Sequence, residues 1–108
     1  MTTDARVVLC NCPDRGVARR LARAVVQQRL AACVNVVPGV ESFYRWEGEV
    51  QQATEHTLLI KTTRDAWPDL EAALRAGHPD DVPEIIALPV ENGLKEYLEW
   101  IAESTITG

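Results

Sequence analysis

The sequence predicts an α+β sandwich with the element order β-α-β-β-α-β and a C-terminal helix. Three observations carry that prediction. Residues 7–10 and 85–90 are short apolar runs of strand length. Two stretches with helical spacing of apolar residues separate the strand segments. Residues 32–62 read as two long strands joined at Glu47-Gly48. Crossovers of helical length imply parallel neighbouring strands, and the hairpin adds an antiparallel pair. This is the ferredoxin-like split βαβ plan, with helices on one face of a four-stranded sheet.

Val7-Val8-Leu9-Cys10 is too short for a helix and suits a buried strand, stopped by Asn11-Cys12-Pro13-Asp14. The Asp14 carboxylate can accept from orphan N–H groups of a following helix. In that helix Ala18, Leu21, Ala22, Val25 and Val26 share one face, with Arg19, Arg20, Arg23 and Gln27 on the other. Residues 32–40 are apolar and β-branched, and Pro38-Gly39 predicts a bulge or bend because proline donates no ladder hydrogen bond. Strand resumes at residues 42–46 and returns over residues 49–62. A second helix is expected over residues 65–77, with Trp67, Leu70 and Leu74 as its apolar stripe, Pro68 in its first turn and Gly77 as a stop. After the last strand, Asn92 is expected to cap a helix carrying Leu94, Tyr97, Leu98 and Ile101.

The chain has 108 residues, 46% apolar and 25% charged, with a net charge of −5. One domain spanning residues 1–108 fits that length, and the apolar share excludes a disordered chain. A net-negative surface without a basic patch excludes nucleic acid and anionic membranes as electrostatic partners. No run approaches the ~20 apolar residues of a membrane span. No secretory signal is visible, and three cysteines, an odd number, make a disulfide scaffold a poor fit. A cytoplasmic, reducing location is expected.

The hairpin is long for so small a body. Two strands of about 14 residues reach ~45 Å at ~3.3 Å per residue. The radius of gyration of a 100-residue domain is only ~13 Å. The tip is therefore expected to find cover on another subunit, as is the bare sheet face.

Cys10 and Cys12, two apart in a strand, point the same way and precede a capped helix. They read either as soft-metal or redox thiols or as two small core side chains. Cys33, between Ala32 and Val34, reads as core. The loop His78-Pro79-Asp80-Asp81-Val82-Pro83-Glu84 holds an imidazole, three carboxylates and two stiffening prolines. It suits a divalent cation or acid–base work, or is simply a solvated connection. Lys61 interrupts an apolar strand, so Glu84 or another carboxylate is its candidate partner, unless its stem reaches the sheet edge. Tyr44, Arg45 and Trp46 read as a platform near the hairpin tip or as subunit packing, and His56 as exposed. No catalytic triad, phosphate-cradling loop or metalloprotease helix is present, so no enzyme is expected.

Five segments carry a resemblance: residues 7–14 (VVLCNCPD), 30–35 (LAACVN), 44–48 (YRWEG), 60–63 (IKTT), and His78-Pro79 with Val82-Pro83-Glu84-Ile85. In this order the chain resembles the CutA divalent-cation tolerance proteins from Val7 to about Ser104. The resemblance implies a homotrimer in which long hairpins pair between subunits, and a role in tolerance to copper and other divalent metal ions. It implies Cys10 and His78 as metal ligands, and the carboxylates of the same loop make Asp81 and Glu84 the expected supporting ones. Some members carry a second histidine where this chain has Gly77, and the family's usual His-Pro-Tyr is here His-Pro-Asp. The added charge of Asp80 and Asp81 would favour harder ions. The alternatives are a trimeric, PII-like signalling module binding a small anion or nucleotide near Lys61, Arg45 and Trp46, or a structural trimer serving as an interaction platform.

Overall fold

A computed structural model describes residues 3–106; the two residues at each end of the expected domain lie outside the described residues. Seven elements follow in order: β1 (Ala5–Cys12), α1 (Arg15–Gln27), β2 (Cys33–Trp46), β3 (Glu49–Thr63), α2 (Trp67–Gly77), β4 (Ile85–Pro89) and α3 (Lys95–Ser104). The sheet order is β2-β3-β1-β4, and every neighbouring pair is antiparallel. This corrects the expectation of parallel neighbours. Each helical crossover steps over a strand of the other half, so the parallel strands it joins are never adjacent.

All but one of the local signals behave as their chemistry requires. The Asp14 carboxylate accepts from the Val17 N–H at 2.9 Å and starts α1. Glu47 and Gly48 have φ of 51° and 82°, the left-handed pair that a two-residue hairpin turn needs. The register of β2 on β3 shifts between Val37 and Val40, with Gly39 at φ 69°. β1 outruns its apolar run and pairs as far as Cys12, which lies opposite His56. Asn92 does not cap α3: the helix begins at Lys95 with Leu94 in the cap position and no side-chain cap bond.

Even-numbered residues of β1 and β3 face one core. Val8, Cys10, Cys12, Leu58 and Ile60 pack there with Ala18, Leu21 and Val25 of α1 and Leu70 and Leu74 of α2. Ala5, on the opposite side of β1 from Val8, packs instead with Ala32 and Ile101, flanked by Val90 and Leu98. So α3 crosses to the other face and covers its Ala5 end. The helices are not all on one face. Farther along, Ile86 and Leu88 remain exposed, as do Phe43, Trp46 and Val50 at the hairpin tip. The molecule measures 44 × 28 × 22 Å, the long dimension being that expected of the hairpin. Among the described residues no helix is long and apolar enough to cross a membrane.

Candidate metal centre

The end of β1 places functional groups on both faces of the sheet. On the inner face, Cys10, Cys12 and His78 come together: one ligand atom from each lies within 4.8 Å of the others, and all three residues are buried. The cysteines meet because period-2 alternation sends both side chains inward. The Cys10 thiol donates to the Cys12 sulfur, which raises Cys10 far above the ordinary thiol range and lowers Cys12. Burial adds to the rise at Cys10 and opposes the fall at Cys12.

His78 arrives from the loop after α2, its side chain fully shielded. Its Nδ1 accepts from the Asp80 N–H at 3.1 Å. The ring proton therefore sits on Nε2, which donates to the Asn11 carbonyl at 2.7 Å. The imidazole thus ties the loop to β1.

On the outer side lies a cleft of about 790 Å³ between the hairpin and the loop of residues 79–84. Glu55, Asp80, Asp81 and Glu84 supply four carboxylates, and Phe43, Tyr44 and Trp46 form the hairpin wall. Asn11 anchors it: its Nδ2 donates to Glu84 Oε1 at 3.3 Å and Glu55 Oε1 at 3.4 Å, and its Oδ1 accepts from the Thr57 hydroxyl at 2.7 Å. No lysine or arginine lines the cleft among the described residues, so an anion meets no opposite charge there.

Of the four expected ligands, Cys10 and His78 are brought together, whereas Asp81 and Glu84 are exposed and belong to the cleft. Cys12 joins Cys10 and His78. Its only sequence signal is the two-residue spacing from Cys10. Asn11, which links both faces, carried no signal at all. Lys61 bonds Asn35 on β2 and not Glu84, because Asn35 lies one pleat along from its cross-strand partner Cys33. Cys33 is half-buried and not core; its neighbour is Tyr97 of α3, whose phenol is raised above its usual range by burial and by that thiol. His56 is half-buried and not exposed, with its Nδ1 sealed from solvent.

The order β2-β3-β1-β4, two helices on one face and the over-long hairpin define a ferredoxin-like α+β protein. Residues 6–104 match the family model described as CutA1 divalent ion tolerance protein. The chain belongs to that family. It is 54% identical over 99 residues to the divalent-cation tolerance protein CutA of Thermus thermophilus, covering 92% of this chain and 96% of that protein. It is 47% identical to the chloroplastic protein CutA of Arabidopsis thaliana over 96% of this chain, which spans 57% of that longer protein. The crystal structure of CutA1 from Oryza sativa superposes with a TM-score of 0.94 at 44% identity, covering 99% of this chain and 98% of that one.

Proposed function

We propose that this protein acts in tolerance to divalent cations by binding copper or another divalent metal ion at the end of β1, as a homotrimer in the cytoplasm. The observation that carries the metal reading is the convergence of Cys10 and His78, which are 68 positions apart in the chain, within 4.8 Å of each other. Sulfur and imidazole donors suit copper, and the carboxylates of Asp81 and Glu84 give the adjoining cleft an attraction for cations. Titration calorimetry with Cu(II) tests it on the wild type and on Cys10→Ser and His78→Gln. The reading expects binding to the wild type and weaker binding to both variants. Unchanged affinity in both would overturn the ligand assignment.

The trimer is supported by the 44 Å length of the molecule and by the exposed Phe43, Trp46 and Val50 at the hairpin tip. These side chains need cover that one copy does not provide. Light scattering should give a mass three times the 12.0 kDa of one chain. A monomer would overturn the pairing of hairpins between subunits. Three cysteines without a disulfide suit a reducing compartment.

A further inference from the structure

We propose that Cys10, Cys12 and His78 form a buried three-donor site for a monovalent thiophilic ion, copper in its reduced state. The inference rests on the metal-binding reading above and deepens it by naming the ligand set and the oxidation state.

The geometry of the cluster points to this ion. A metal about 2.3 Å from each of three donors holds those donors about 4 Å apart in a trigonal arrangement. The three ligand atoms here already lie within 4.8 Å of one another, so closure onto an ion needs side-chain adjustment and no refolding. Hard divalent cations want six or more oxygens, and this group contains none. Zinc in a closed site wants a fourth donor, and among the described residues the group has three members. A d¹⁰ monovalent ion is satisfied by two or three soft donors, and thiolates select it.

Burial argues in the same direction. Cys10 and Cys12 are fully shielded in the core, so water reaches neither sulfur. With water excluded, no solvent ligand completes a four- or six-coordinate sphere, so an ion content with the three protein donors fits the space and one that needs more ligands does not. Each thiol that ligates releases its proton to solvent. His78 gives up one of its two hydrogen bonds, to the Asp80 N–H or to the Asn11 carbonyl, to present a lone pair. The carboxylates of Asp81 and Glu84 stay in the cleft, outside this coordination set.

The test is an anaerobic titration of the full chain with Cu(I) against a coloured Cu(I) chelator, repeated with Ag(I), which does not change oxidation state. Cu(II) and Zn(II) are titrated in parallel. One Cu(I) or Ag(I) per chain is expected. Cys12→Ser should lose affinity by about tenfold or more, and Cys33→Ser should lose none. X-ray absorption of the copper-loaded wild type, which depends on no variant, should show two sulfur neighbours and one nitrogen. A single sulfur neighbour, or unchanged Cu(I) affinity in Cys12→Ser, overturns the three-donor site. Binding of Cu(II) without Cu(I) overturns it while the metal reading stands, and no binding of any ion overturns both.

Discussion

The Nε2–H of His78 donates to the carbonyl of Asn11 at 2.7 Å, fastening the loop after α2 to the last turnless stretch of β1. The same ring accepts from the Asp80 N–H, so one buried imidazole satisfies a strand and its own loop.

His78→Ala leaves the Asn11 carbonyl and the Asp80 N–H without their partner and opens a hole beside two cysteines. A loss of roughly 2–4 kcal/mol is expected, read as a lower urea midpoint. A loss below about 0.5 kcal/mol would mean that water replaces the ring at no cost.

Asp14 is the only side-chain cap on α1, and its acceptor bond to Val17 N–H is solvent-exposed. Asp14→Ala should cost about 1 kcal/mol, while Asp14→Ser should recover most of it. Equal stability of the two variants would show that the cap bond contributes little.

Gly77 closes α2 against α1. A Cβ there would lie 2.6 Å from Cδ2 of Leu21, too near for both to stay in place. Gly77→Ala should therefore destabilise by roughly 1–3 kcal/mol. Shortening the neighbour in Gly77→Ala/Leu21→Val should cost less than the two single changes added together, which a double-mutant cycle measures. Strict additivity would place the strain elsewhere.

At the hairpin tip Glu47 holds φ 51°, which a non-glycine side chain resists, while Gly48 holds 82° without strain. Glu47→Asn creates the Asn-Gly pair that such turns favour and should raise stability by about 0.5–1 kcal/mol. A lower melting temperature for this variant would argue that the glutamate side chain is itself engaged.

What the sequence disclosed was local. The Asp14 cap, the Pro38-Gly39 irregularity and the Glu47-Gly48 turn each depend on a few adjacent residues, and each is where the pattern put it. One misreading is local and the others are long-range. Asn92 looked like a cap, but Leu94 holds that position. α3 takes the opposite face, where Ile101 packs with Ala5 and Ala32, a long-range contact that no periodicity reveals. For the site, spacing could pair Cys10 with Cys12, and the resemblance pointed to His78. Only the fold, by carrying β1 on to Cys12, shows that all three meet. Asp81 and Glu84 share a loop with His78, yet they line the cleft and stay outside the buried cluster.

The sheet order leaves β2 as an edge strand of 14 residues, with a free row of backbone donors and acceptors along its outer side. A long edge of this kind is a template for strand addition, and head-to-tail addition has two outcomes. It either closes into a ring with cyclic symmetry or propagates as a fibre. The register break at Val37–Val40 bends the edge partway along, so the template is curved and not straight. In the proposed trimer, copies adding at such an edge would meet that bend, and a bent edge would favour a closed ring of a few copies over a filament.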